Sequence, residues 1–122
     1  MKPLAFTALA ALTLIAVPAQ ADYITCNATR DDGQKTTFKY TTNEAESTLT
    51  ETIPSTGKIE TNKAAYSANT IVSSFPITVR GRVLLRGQIE LNRQTGELRR
   101  ALGGINTWTG TCKATEAPVQ LF

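Results

Sequence analysis

The 122-residue sequence contains no histidine. Histidine is the most common general base in enzymes and the most common side-chain ligand of metal ions. Its absence excludes serine–histidine and cysteine–histidine nucleophilic sites. If the two cysteines of the sequence also form a disulfide, a zinc site would have only carboxylates, which is rare. The composition therefore predicts a protein that is not an enzyme and that binds neither a metal nor a cofactor.

Carboxylates are the only remaining candidates for catalysis, as a pair that hydrolyses a glycosidic bond. The sequence contains seven glutamates: Glu44, Glu46, Glu51, Glu60, Glu90, Glu97 and Glu116. We expect all of them in polar segments or on outward strand faces, away from the apolar setting that a general acid requires. Asp31-Asp32-Gly33 could open a calcium loop, but the other ligand positions are missing, so this tripeptide predicts a turn.

Only two cysteines occur, Cys26 and Cys112. Disulfides persist in oxidising compartments, and two cysteines allow a single connectivity. A Cys26–Cys112 bridge would close a ring of about 87 residues. Such a bridge would also bring the first and last strands together, as in a closed or nearly closed sheet. Two free thiols are the alternative.

Long hydrophobic runs are absent except near the N-terminus. Residues 4–17 are apolar apart from two threonines, but a membrane span needs about 20 such residues. Lys2 precedes this run, and Ala19-Gln20-Ala21 follows it with the spacing that a signal peptidase accepts. The sequence thus predicts a cleaved signal peptide at residues 1–21. We expect export to the periplasm or the extracellular space and no membrane span in the mature chain.

The rest of the chain is rich in threonine, with valine, isoleucine and aromatic residues spread along it. These residue types fit the half-buried surface of a β-sheet, and apolar residues never repeat for long at helical spacing. We predict an all-β domain over residues 22–113, a small antiparallel barrel or sandwich of about seven to eight strands. Residues 114–122 are predicted to form a C-terminal tail.

Alternation of apolar and polar residues predicts the first hairpin. Ile24 and Cys26 share one face of its first strand, and the predicted Asp31-Asp32-Gly33 turn reverses the chain. Phe38 and Tyr40 then alternate with lysines on the second strand. We expect Phe38 and Tyr40 to face the core.

A longer alternating run covers residues 77–91. It predicts one long strand that bends at Gly81 or Gly87, because glycine inside a strand often marks a bend. The turn at residues 92–96 sets a register that places Arg100 on the inner side. Either Arg100 lies at the rim of the sheet or this register is wrong.

Basic side chains concentrate in the second half of the chain, where residues 80–122 hold seven basic and three acidic side chains. Arg80, Arg82, Arg86 and Arg99 are expected on the outer face of the long hairpin. Because guanidinium groups bind carboxylates and phosphates through paired hydrogen bonds, these are the candidate partner-binding residues. The partner would be an acidic protein, a polysaccharide or an anionic envelope surface. The alternative is a solvated face that prevents sheet aggregation.

Aromatic residues bear on two further predictions. None alternates with the arginines, so we expect no nucleic-acid partner. Trp108 is the only tryptophan, and we expect it to pack beside the disulfide. The alternative for Trp108 is a barrel wall that contacts a ligand.

Three segments, Tyr23-Ile24-Thr25-Cys26, Asp32-Gly33 and Thr37-Phe38-Lys39-Tyr40, resemble the opening hairpin of small periplasmic inhibitors of c-type lysozyme. The resemblance implies an eight-stranded antiparallel barrel that blocks the active site of the enzyme. The inhibitory loop of that family is not found in this sequence, so no inhibitory residue is carried over.

These features together predict an exported, non-catalytic binding protein whose partner is a protein or an anionic envelope component. Inhibition of an envelope-directed hydrolase such as lysozyme is the specific hypothesis. The alternatives are a small barrel that carries an apolar ligand and a structural protein of the envelope.

Overall fold

A computed structural model describes residues 22–115 as a closed antiparallel barrel. Each strand pairs with its neighbours in sequence, and the last strand pairs with the first. The eight strands are β1 (Tyr23–Arg30), β2 (Lys35–Asn43), β3 (Thr48–Ile53), β4 (Lys58–Tyr66), β5 (Thr70–Val79), β6 (Arg82–Asn92), β7 (Glu97–Leu102) and β8 (Asn106–Thr115). The all-β prediction is confirmed, and the architecture is a barrel, not a sandwich.

The two ends of the sequence lie partly outside this description. The predicted signal peptide at residues 1–21 and residues 116–122 of the predicted tail are outside the described residues. Ala114 and Thr115, the first residues of that predicted tail, pair with β1 in strand β8. Within residues 22–115, no helix has the length and apolarity to cross a membrane.

The barrel closes where β1 pairs with β8. Cys26 lies directly opposite Cys112 in this register, and the two form the predicted disulfide. Gly110 permits the close approach of the two strands, because a Cβ atom on it would lie 2.1 Å from the carbonyl oxygen of Asn27. The first and last strands are therefore joined by hydrogen bonds, by sulfur and by a glycine contact.

The barrel interior is filled by side chains that alternate along the strands. Its buried apolar members are Cys26, Ala28, Phe38, Tyr40, Leu49, Ala64, Ile71, Phe75, Ile89, Leu91, Leu98 and Trp108. The inward placement of Phe38 and Tyr40 is confirmed. Trp108 is also buried, and its ring packs edge-on against that of Phe38 with centroids 5.5 Å apart.

An ion pair lies inside this apolar core. Arg100 Nε donates to Glu51 Oε2 at 2.7 Å, and a second guanidinium nitrogen donates to Glu51 Oε1 at 2.9 Å. The Tyr40 hydroxyl donates to Glu51 Oε2 at 2.7 Å. The Arg100 guanidinium also lies 4.8 Å and 4.7 Å from the ring centroids of Phe38 and Phe75. We call Tyr40, Glu51 and Arg100 the core network.

The core network corrects two expectations. The predicted register of β6 and β7 holds, because Ile89 lies opposite Arg100, yet Arg100 is 6 % exposed and not at the rim. The expectation of an outward Glu51 is wrong, since this residue is 5 % exposed. The buried position of Glu51 is tolerated because Arg100 and Tyr40 donate to its oxygens, and no buried side-chain polar atom in residues 22–115 lacks a partner.

Burial and the neighbouring carboxylate both disfavour ionisation of the Tyr40 hydroxyl. Desolvation is the largest effect, followed by the charge of Glu51 and the hydrogen bond to it, and together they raise the pKa of Tyr40 well above its usual value. For Arg100, burial by itself lowers the pKa, but the hydrogen bonds and charge of Glu51 outweigh it and raise the pKa. The network therefore keeps a neutral phenol and a charged guanidinium.

Tyr40→Phe should reduce the loss of stability at alkaline pH. The unfolded tyrosine ionises near its ordinary pKa of about 10, whereas the folded one stays protonated. The stabilising effect of this difference is complete below that pH and declines as pH rises above it. Urea unfolding between about pH 8 and pH 11 should give a steeper decline for the native protein than for Tyr40→Phe. Parallel declines would contradict this; Tyr23→Phe is the matched control.

Because consecutive strands run in opposite directions, the turns separate into two ends of the barrel. The end we call distal holds the turns at residues 31–34, 54–57, 80–81 and 103–105. The proximal end holds the other three turns, together with Asp22 and Thr115. The distal end carries three of the four candidate binding residues, Arg80, Arg82 and Arg86, in or near its 80–81 turn.

Candidate functional site

The β5–β6 hairpin extends beyond the barrel wall at the distal end. β4 pairs with β5 only as far as Ser73, and β7 pairs with β6 only from Gly87 onward. Residues 76–86 therefore pair with each other alone. We call this segment the arm. It continues four residue pairs past Gly87, or about 13 Å at the usual rise of a strand.

The tip of the arm is a two-residue turn, Arg80-Gly81. Both residues have positive φ angles, 54° and 78°, as a type I′ hairpin turn requires. The prediction of one long strand over residues 77–91 is thus wrong, because the chain reverses at Gly81. Arginine rarely adopts a positive φ, so Arg80 is an unusual residue for this turn, and its side chain is exposed at the apex of the arm.

A bulge changes the register of the arm just behind this turn. Ile77 lies opposite Leu85, but Thr78 lies opposite Val83, so Leu84 is the extra residue. Opposed residues share a face of a hairpin.

This register separates the arginines of the arm. Arg82 shares a face with Val79, and Arg86 shares the other face with Pro76. The expectation that the arginines line a single outer face is therefore wrong, because they surround the arm.

The base of the arm is anchored in the core. Phe75 lies opposite Gly87, and a Cβ atom on Gly87 would lie 2.1 Å from the Phe75 ring. The Phe75 ring thus occupies the space that glycine leaves, and it also contacts the Arg100 guanidinium. The position of the arm is therefore set by packed side chains and not by a loose loop.

The three arginines of the arm are exposed. Their guanidinium groups make no ion pair or hydrogen bond with any residue in 22–115. No aspartate or glutamate occurs between residues 61 and 89. Arg93 differs from them, because at the proximal end it donates to the carbonyl of Ser67 at 2.7 Å and lies over the Tyr66 ring. The arginines of the arm are available to an external anion.

Arg99 does not belong to this group. It lies on the barrel wall opposite Glu90 and Thr109. Glu90 is four residues along β6 from Arg86, about 13 Å away at the usual strand rise. The structure thus brings together Arg80, Arg82 and Arg86 and leaves Arg99 outside the arm.

The distal end also carries apolar side chains that the sequence reading did not identify as part of a site. Val79, Val83 and Leu84 of the arm are 47 %, 56 % and 61 % exposed. Ile59 and Ile105 are 68 % and 63 % exposed. The available signal in the sequence was Leu84, the one apolar residue at an even position of the 77–91 run.

The first turn is stabilised by an exposed ion pair between Arg30 and Asp32. Arg30 Nε donates to Asp32 Oδ1 at 3.0 Å. That hydrogen bond, with a second one from the backbone of Gln34, lowers the pKa of Asp32 to about 2. The predicted turn is confirmed, and residues 22–115 contain no group of three side chains that could hold a metal ion.

Comparisons with protein-family models, curated proteins and solved structures gave no match for this chain. The likeness of the first hairpin to lysozyme inhibitors therefore stands on the residues quoted for it alone.

Proposed function

We propose that this chain is an exported, non-catalytic binding protein that engages an anionic partner, a protein or a component of the envelope, through the arm. The observation that carries this proposal is the set of three unpaired arginines on a segment without acidic residues that extends past the wall of a covalently closed barrel. Arg86 lies on one face of the arm, Arg82 on the other and Arg80 at the tip.

The rigidity of the scaffold supports a binding role. Ordering flexible loops and side chains at an interface costs free energy, so a preorganised element binds more tightly. The arm is preorganised by Phe75 at its base and by the two-residue turn at its tip. Arginine is also enriched at the centres of protein interfaces.

Inhibition of an envelope-directed hydrolase such as lysozyme is the specific form of this function for a protein partner. The active sites of glycoside hydrolases lie in clefts and carry a pair of carboxylates. A narrow, positively charged hairpin of about 13 Å has the shape and charge to enter such a cleft. Transport of an apolar ligand has no supporting observation, because the side chains of the core network, Phe38, Phe75 and Trp108 occupy the barrel interior.

The triple variant Arg80→Ser/Arg82→Ser/Arg86→Ser should lose partner capture by more than roughly 100-fold, since a few central residues dominate most interfaces. Capture is measured by pull-down from the native compartment with quantitative mass spectrometry, and inhibition by a lysozyme activity assay. Lys39→Ser/Arg99→Ser/Lys113→Ser removes the same charge from outside the arm and is the matched control.

A single substitution separates binding from folding. Arg80→Asn places at the tip a residue that favours positive φ, so its thermal stability should equal or exceed that of the native protein while capture weakens. Unchanged capture by both the triple variant and Arg80→Asn would refute the proposed role of the arm.

A further inference from the structure

All five large apolar residues that are exposed in the described chain lie toward the distal end. Val79, Val83 and Leu84 are on the arm, Ile59 follows the β3–β4 turn, and Ile105 lies in the β7–β8 turn. Exposed apolar residues scattered singly are ordinary, whereas their concentration on one part of a surface marks an interaction site. Ile59 lies on the outer side of the barrel wall, opposite Thr52 near the distal end of β4, and the proximal end of residues 22–115 carries none of the five.

Apolar and cationic side chains are combined on both faces of the arm. Val83 shares a face with Arg86, and Val79 shares the opposite face with Arg82. A flat protein surface would cover only one of these faces. The interfacial layer of a lipid bilayer would surround the arm and cover both.

The dimensions and charge of the arm fit that layer. Interfacial elements bury their apolar residues about 5–10 Å into the boundary between headgroups and acyl chains, which is within the reach of the arm. Arginine can extend along such an apolar surface while its guanidinium stays at the level of the phosphates. No acidic residue between positions 61 and 89 opposes this contact.

Ile59 and Ile105 favour a bilayer over a cleft in an acidic protein. Ile59 is in β4, the strand before the arm in the barrel, and Ile105 is in the turn between β7 and β8, the strands after the arm. Contact with both requires a partner that extends laterally around the arm. A bilayer does so without any matching shape.

We infer that the distal end of the barrel docks on an anionic lipid bilayer, with the arm entering the headgroup layer. This inference rests on the proposed function and names the class of its anionic partner. Lipid phosphates would bind Arg80, Arg82 and Arg86, and the acyl boundary would receive Val83 and Leu84.

Vesicle co-sedimentation of the purified, oxidised protein tests this inference. We expect binding to vesicles of equal parts phosphatidylglycerol and phosphatidylcholine and little binding to phosphatidylcholine alone. Each arginine near an anionic surface contributes about a factor of five, so Arg80→Ser/Arg82→Ser/Arg86→Ser should lower the partition coefficient roughly 100-fold. The control Lys39→Ser/Arg99→Ser/Lys113→Ser, with the same net charge, should change it only a few-fold.

A second variant separates lipid insertion from charge attraction. Val83→Ser/Leu84→Ser keeps all three arginines, and its residual binding should disappear in roughly 0.5 M salt, where charges are screened beyond a few ångströms. The native protein should keep part of its binding there. Equal salt sensitivity of the two proteins, or equal losses in the triple variant and its control, would overturn the inference.

The two proposals fail in distinguishable ways. If the native protein does not bind anionic vesicles but captures an acidic protein through the arm, the lipid inference is wrong and the proposed function holds. If it binds neither vesicles nor an acidic protein, both are wrong. Circular dichroism and an intact disulfide confirm that each variant is folded.

Discussion

Replacing Glu51 by glutamine should lower the free energy of unfolding by about 3–5 kcal/mol, the usual cost of removing one partner of a buried ion pair. Glu51 is the only carboxylate that contacts Arg100 in residues 22–115. Glutamine offers one oxygen and no charge, so the guanidinium would remain buried without compensation. The two flanking aromatic rings attract the cation, but such contacts are worth only about 0.5–2 kcal/mol each.

The double variant Glu51→Leu/Arg100→Met distinguishes a buried charge from simple loss of contacts. Removing both charges together leaves nothing unpaired except the Tyr40 hydroxyl, and such replacements are often neutral or stabilising by about 1–4 kcal/mol. We therefore expect the double variant to be more stable than either single variant. Urea unfolding at neutral pH measures all three.

Losses that add in the double variant would contradict this interpretation, because additivity indicates independent sites. Glu90→Gln is the matched control. Glu90 is exposed and lies opposite Arg99, and an exposed pair of charges contributes only about 0–1 kcal/mol. A loss at Glu90 as large as that at Glu51 would show that burial is not the cause.

The core network also shows what the sequence could and could not predict. Leu49 and Ile53 are apolar and lie two residues before and two residues after Glu51, so alternation along β3 places all three on the same face. Strand alternation thus contains the signal for an inward Glu51, as it does for Arg100. Their pairing could not be predicted locally, because β3 and β7 are not neighbours in the sheet and only barrel closure brings them together.

The hairpin turn of the arm could not be predicted from the sequence for a different physical reason. Residues 79 and 82, on either side of the two-residue turn, lie on the same face of the hairpin. Without a bulge, the face that holds odd-numbered residues before the turn would therefore hold even-numbered residues after it. Because Leu84 is an extra residue in β6, the odd-numbered residues from Leu85 onward lie again on the same face as the odd-numbered residues of β5. The two shifts cancel, and the alternation across residues 77–91 continues as if no turn were present. Arg80-Gly81 also lacks the Asn-Gly pattern typical of such turns.

The first hairpin and the disulfide could be predicted without knowing which distant strands contact each other. The turn at residues 31–34 has local signals, and the strands that it joins alternate without a bulge. Two cysteines can pair in only one way, so the contact between the first and last strands followed from their positions. Prediction was therefore reliable where a feature depended on neighbouring residues or on a unique pairing.

Reduction of the Cys26–Cys112 disulfide should have the second large effect, a loss of about 4–5 kcal/mol in the free energy of unfolding. The bridge joins residues separated by 86 positions, and the entropy that a cross-link removes from the unfolded chain grows with this separation. Domains of this size are typically stable by about 5–15 kcal/mol in total. Reduction should therefore remove from about a third to most of the stability of the folded domain.

Two measurements check this expectation. Intact-mass analysis after alkylation should show no labelled cysteine until a reductant is added. Urea unfolding should then show a large shift of the midpoint on reduction. The variant Cys26→Ser/Cys112→Ser should have the midpoint of the reduced protein, with or without reductant. Alkylation of both thiols without reductant, or a midpoint that reductant leaves unchanged, would contradict the prediction. Because the disulfide joins the strands β1 and β8 that close the barrel, such a result would also weaken the expectation that the protein is exported to an oxidising compartment.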